Sequence, residues 1–219
     1  TSILPGKYLA SDVELLQSGK HPGKTNLTDV DGALNIMRYL TGKPCCIIVK
    51  HNNPCGVAVA DSLSAAYHKA NMADRVAAFG GAIALNREVD IETAGLIAEN
   101  YAEVVAAPEF AAGVMDIFAK KKNLRVMRIT NIARLQDYAA ARVVDFKSMI
   151  DGGIVAQWSF SPVTRKKEDF LPAQAVYKGK EYKISRMPTD KEYEDLLFGW
   201  LVEAGVTSNS VLYVKDGVT

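Results

Sequence analysis

Short apolar runs of strand length alternate with longer stretches of helical periodicity through the first 130 residues, which restricts the chain to a sheet covered by helices. From Thr28 to Leu40, Val30, Ala33, Leu34, Met37 and Leu40 fall on one helical face. Thr28 or Asp29 can cap the start of this helix, and Gly42 with Pro44 ends it. CCIIV, residues 45 to 49, is a continuous run of β-formers and reads as a buried strand. Asp61 or Ser62 then caps a helix to about Met72, and GAIAL (81 to 85) reads as a strand. Asp90 opens another helix, and VVAA (104 to 107) forms a strand that Pro108 stops. Ala111, Val114, Met115 and Phe118 mark a further helix, followed by a strand from Leu124 to Ile129. The expected fold class is α/β, with a mainly parallel sheet.

Composition narrows the function. With 26 basic and 25 acidic residues the chain lacks the basic excess of a nucleic-acid binder. No apolar run approaches the roughly 18 residues of a membrane span, and the N-terminal stretch has no signal-peptide core. Cys45 and Cys46 are neighbours in a strand and point to opposite faces, so reduced thiols in a cytoplasmic protein are expected.

Beyond residue 130 the pattern loosens. Gly152-Gly153 precedes a strand through Ala156, and residues 161 to 188 are polar and Lys-rich. Thr189 and Glu192 make a capping box for a helix carrying Tyr193, Leu196, Leu197, Trp200, Leu201 and Ala204, which Gly205 ends. A strand is expected from 210 to 214, running into the hairpin signal Asp216-Gly217. Only Val218 and Thr219 remain to return, so the chain reads as a piece of a longer one.

The densest polar group is Lys50, His51, Asn52 and Asn53, directly after the first buried strand. Ligands of open α/β sheets bind beyond strand carboxyl ends, and a Lys beside a His offers a cation and a base that titrates near neutrality. The plainer alternative is a polar loop in which His51 bonds only to backbone. Cys55 could pair with His51 as a nucleophile, but no third orienting residue is identifiable, and a packed thiol fits better. His21, His51 and His68 lie in unrelated contexts without a Cys-x-x-Cys pair, so no metal site is expected. Phe79, Gly80 and Gly81 suit either a turn or the approach of a flat ligand to an aromatic face. Lys120, Lys121, Lys122 and Arg125 read as a solvated helix end.

Six stretches together resemble the transformylase part of the bifunctional AICAR transformylase/IMP cyclohydrolase family: KTNLTDVDGAL (24 to 34), VKHNNPCGVAV (49 to 59), ADRVAAFGGAIALNREVDIETA (73 to 94), EVVAAP (103 to 108), KKKNLR (120 to 125) and SNSVLYVKDG (208 to 217). They stand in the family's order across nearly the whole chain. The resemblance implies cytidine-deaminase-like α/β/α lobes without the deaminase zinc. Residues 1 to 160 would form a nearly complete first lobe, 161 to 188 a connection, and 189 to 219 the start of a truncated second lobe. It also implies formyl transfer from 10-formyltetrahydrofolate, used as co-substrate, to the 5-amine of the nucleotide AICAR, in a homodimer. The family's catalytic Lys-His pair falls on Lys50 and His51, and its Ser-Asn-Ser asparagine on Asn209. Nucleotide contacts fall on Asn26 and Glu103, and the Phe-Gly that meets the folate on Phe79 and Gly80.

Several family segments that supply nucleotide and folate contacts are not in this chain, so it is expected to be a poor enzyme alone. A non-catalytic paralogue, or an assembly subunit with the same fold, is the alternative; the retained Lys50, His51 and Asn209 favour the enzyme. A dimer or larger species is expected, with residues 189 to 219 near the contact.

Overall fold

The computed structural model describes residues 13 to 219. Six strands, β1 (Glu14–Gln17), β2 (Cys45–Lys50), β3 (Asn53–Val59), β4 (Ala82–Leu85), β5 (Val104–Ala107) and β6 (Arg125–Arg128), form one sheet in the order β1-β6-β5-β4-β2-β3. The described helices are α1 (Lys24–Met37), α2 (Leu63–Ala73), α3 (Ile91–Ala98), α4 (Val114–Phe118) and α5 (Asp190–Glu203), with 3-10 helices over Thr130–Tyr138 and Lys167–Asp169. The protein is therefore α/β, but its sheet is mixed rather than mainly parallel. Only β4, β5 and β6 run parallel; β1, β2 and β3 are each antiparallel to the strand beside them.

The reason lies in residues 50 to 59. The stretch from Asn53 to Val59 returns immediately alongside β2 as β3, because His51 and Asn52 both adopt left-handed backbone (φ 55° and 63°). Two left-handed residues between strands make the hairpin turn that matches strand twist. Ile48 pairs with Gly56 and Val49 with Pro54, leaving Cys55 as the extra residue of a β-bulge. Its side chain packs on the core edge, and burial raises its thiol pKa, as expected of a packed thiol rather than a nucleophile.

Strand alternation divides the interior. Cys46, Ile48, Ile83, Leu85, Val105 and Val126 face one core, closed by Tyr67 of α2, Ile97 of α3 and Phe118 of α4. Cys45, Ile47, Val49, Ala82, Val104 and Met127 face the other, closed by Val30, Leu34 and Met37 of α1, Ile132 of the 3-10 helix, and Phe198 and Val202 of α5. The two adjacent cysteines thus lie on opposite faces, and burial pushes the Cys45 thiol up to about 12.

Ser62 and Asp90 cap α2 and α3 through their side chains, as their sequence positions suggest. Thr28 and Asp29 do not cap α1, which begins one turn earlier behind Gly23 and ends at Met37. Thr189 and Glu192 form the capping box of α5.

Residues 130 to 188 hold two exposed hairpins, β7 (Val144–Ser148) with β8 (Ile154–Trp158), and β9 (Gln174–Tyr177) with β10 (Lys180–Lys183). Residues 210 to 214 are extended but form no strand. Leu212 and Val214 turn inward while Val211 and Tyr213 are 83% and 90% exposed, so the period of two is real without a ladder partner. The left-handed pair Asp216 and Gly217 reverses the chain there, and Val218 pairs with Ala58 on the outer edge of β3. Val218 also bridges back to Lys215, so the turn closes on itself and docks on the sheet.

Candidate functional site

β2 runs antiparallel to β4, so its carboxyl end lies beside the amino ends of the parallel strands. Val49 is paired with Ala82, and Ala82 with Val104. The Lys50–His51 turn, Phe79-Gly80 before β4, Glu103 before β5 and Arg125 at the start of β6 consequently share one edge. These candidate residues lie beyond the carboxyl end of β2 but beside the amino ends of the three parallel strands.

Lys50 is half-buried and donates from Nζ to the Phe79 carbonyl at 2.7 Å. An ammonium has three donors, so two stay available. His51 and Asn52 are exposed, and their backbone N–H groups are held by Asp29, which is only 5% exposed: Asn52 N–H to Oδ1 at 2.7 Å and His51 N–H to Oδ2 at 3.3 Å. The turn is thus held through its backbone, with the His51 and Asn52 side chains at the surface.

Gly80 is left-handed (φ 75°), and its N–H donates to the Tyr101 carbonyl at 2.8 Å. A Cβ added there would sit 3.3 Å from the Tyr101 ring and 3.9 Å from Glu103 Oε1, so glycine keeps this surface open. Phe79 is 62% exposed, with its ring centroid 5.0 Å from that of Tyr101.

Asn26, in the first turn of α1, donates from Nδ2 to Glu103 Oε2 at 2.9 Å. The same oxygen lies 3.5 Å from Arg125 Nη1, and Arg125 Nε donates to the Lys20 carbonyl at 2.6 Å. Arg125 is buried and belongs to this cluster, not to a solvated helix end with Lys120, Lys121 and Lys122. Its position at the head of a strand, not the composition of the basic run, separates it from them.

Asn209 is exposed in the segment after α5, which is tied to the hairpin by the Thr207 N–H donating to Asn53 Oδ1 at 3.0 Å. It lines a recess of about 480 Å³ with Trp200 and Phe160. A larger cavity, about 940 Å³, adjoins it on the outer face of α5 beside Leu196, Trp200 and Val211. Lys50, His51, Phe79, Gly80, Asn26 and Glu103 thus lie along one edge, with Asn209 on a neighbouring tether. Asp29 and Tyr101 belong to the same constellation and were not singled out from sequence. Asp29 carried a visible signal, an acid one turn after Asn26, which the capping reading absorbed.

Among the described residues no three His, Cys, Asp or Glu side chains gather as a metal ion would need, and no helix is long and apolar enough to cross a membrane.

An α/β/α domain with a Lys-His hairpin, an amide-carboxylate-guanidinium cluster and an exposed aromatic on one sheet edge is equipped for a polar, partly flat ligand. The chain belongs to the AICARFT/IMPCHase bienzyme family, whose pattern matches residues 5–219. It is 39% identical over 202 residues to the bifunctional purine biosynthesis protein PurH of Persephonella marina, covering 92% of this chain and 35% of that protein. Against the PurH of Magnetococcus marinus it is 40% identical over 199 residues, covering 90% of this chain and 34% of the relative. The Sorangium cellulosum PurH is 38% identical over 211 residues, 96% of this chain and 37% of its own length. The chain therefore spans about a third of the length of these curated relatives.

Proposed function

We propose that the protein carrying this chain is a formyltransferase of purine biosynthesis, moving the formyl group of 10-formyltetrahydrofolate to the 5-amine of AICAR. Membership of the bienzyme family and the purine-biosynthesis names of its relatives support the pathway. The observation that carries the chemistry is the hairpin that presents Lys50 and His51 together above a fixed backbone.

In this reading the exposed His51 imidazole accepts a proton from the amine as its nitrogen bonds to the formyl carbon. The same proton then passes to the folate nitrogen as its bond to that carbon breaks. Lys50, with two ammonium donors uncommitted, stabilises the negative charge that develops on the formyl oxygen. Asn209 orients the amine from the tethered segment. Asn26 and Glu103 hold the nucleotide, and the exposed Phe79 ring beside the bare Gly80 offers a face to the folate as second substrate. The lobes are cytidine-deaminase-like in this proposal, the protein is a cytoplasmic homodimer, and residues 189 to 219, whose Phe198 and Val202 pack into the core of the first sheet, lead into the second lobe. The exposed Leu196 and Trp200 on the outer face of α5 support further chain or a second subunit lying there.

The test is formyl transfer by the protein as its gene encodes it. His51→Ala and Lys50→Ala should each lower turnover about 10²–10⁴-fold while calorimetry shows AICAR still bound. Near-normal turnover by both variants would overturn the assignment.

A further inference from the structure

We propose that Asp29 is the positioning residue of the Lys50–His51 hairpin, holding the turn in the left-handed backbone that presents both side chains to the substrates. The inference rests on the formyl-transfer reading and adds to it a residue that touches no reacting atom. His51 and Asn52 have φ of 55° and 63°, and neither is glycine. Side chains disfavour that region, so it persists only where the surroundings hold it. Asp29 does so with both carboxylate oxygens, one on each turn amide, at 2.7 and 3.3 Å. A carboxylate only accepts, and charged acceptors make the stronger bonds, so this pair of contacts suits two adjacent N–H groups.

Asp29 has a second consequence through its helix. It stands three residues after Asn26 on α1, on the same side, and Asn26 binds Glu103. One rigid turn of helix therefore sets the distance between the nucleotide-facing cluster and the proposed base. If the carboxylate lets go, the hairpin can relax while Asn26 stays in place. Positioning errors of about 1 Å in such a site can cost on the order of 10²-fold in rate.

The experiment uses the protein as its gene encodes it and three variants, D29N, N52G, and both together. An asparagine at 29 keeps the shape but turns an NH₂ toward one of the amides. The expected result is a kcat lowered roughly 10²-fold in D29N, with the KM for AICAR within about twofold, because ground-state binding through Asn26 is kept. N52G alone should be near wild type, since glycine takes positive φ without strain, and added to D29N it should recover at least about tenfold in kcat. A loss that N52G does not rescue means a merely structural role and overturns the proposal, as does wild-type kcat in D29N. Should D29N fail to fold, amide exchange in the unaltered protein decides. The 51 and 52 N–H groups, on exposed residues, should exchange at least about tenfold slower than free amides, and free exchange overturns the proposal. H51A run alongside separates the two claims: an active H51A defeats the formyl-transfer reading, whereas a dead H51A beside a normal D29N defeats only this one.

Discussion

Glu103→Gln isolates one interaction at the sheet edge. The glutamine can still accept from Asn26 Nδ2, so the change removes chiefly the charge facing Arg125. The pair is separated by 3.5 Å, with side chains 9% exposed on Arg125 and 37% on Glu103. At an effective dielectric of about 20 the bare Coulomb attraction at that distance is about 5 kcal/mol. Solvent at the glutamate and the cost of dehydrating the arginine remove most of it, since exposed pairs contribute about 0.2–1 kcal/mol and broken buried ones cost about 3–5. An intermediate pair should be worth about 1–2 kcal/mol, and the Arg125 bond to the Lys20 carbonyl keeps it from the upper end. For a chain of this size that lowers the midpoint of thermal unfolding by roughly 3–6 °C. Scanning calorimetry of E103Q and the parent at low ionic strength measures it, and repetition in about 1 M salt should shrink the difference, because the Debye length falls to about 3 Å. An unchanged midpoint at low salt, or a difference indifferent to salt, would refute the reasoning.

Phe198→Ala should destabilise the sheet domain by about 3–5 kcal/mol, because the 6%-exposed ring fills the core shared with α1; urea unfolding giving under about 1 kcal/mol would show that α5 does not share that core. Glu192 has its pKa lowered to about 2 by bonds from Arg186 and from Thr189, so its contribution is full above the unfolded carboxylate value and is lost as pH falls through about 2. The midpoint difference between the parent and E192Q should accordingly be largest near neutrality and close progressively below about pH 4.5; a constant gap from pH 7 to pH 2 would contradict it.

Helix and strand positions were legible where burial imposes a period. Cys45 through Val49, the GAIAL segment and VVAA all became core strands, because residues covered on both sides have little choice but β-branched and small apolar side chains. Strand direction was not legible in the same way. It turned on two residues, His51 and Asn52, whose positive φ values make a tight hairpin that histidine does not advertise. The strand expected at 210 to 214 failed for the complementary reason: alternation reports which side chains face inward, whereas a ladder also needs a neighbouring backbone. The Lys50–His51 pair could be found from its place after a buried strand. Asp29 could not, since its partners lie more than twenty residues away and its local setting offered a helix cap instead.

The antiparallel course of β2 has an electrostatic consequence. Strands β4, β5 and β6 are each entered from the carboxyl terminus of the preceding helix, α2, α3 and α4 in turn. Helix termini carry partial charges, negative at the carboxyl end, from carbonyls that no later residue engages. The edge that holds Lys50, Glu103 and Arg125 thus follows helix carboxyl ends, the reverse of the usual phosphate cradle at helix amino ends. Among the described helices it is α1, starting at Lys24, that turns its positive end toward the Asn26–Glu103 bond. An anionic ligand arriving here must therefore rely on side-chain cations, with the amino end of α1 as the helix terminus able to share that task.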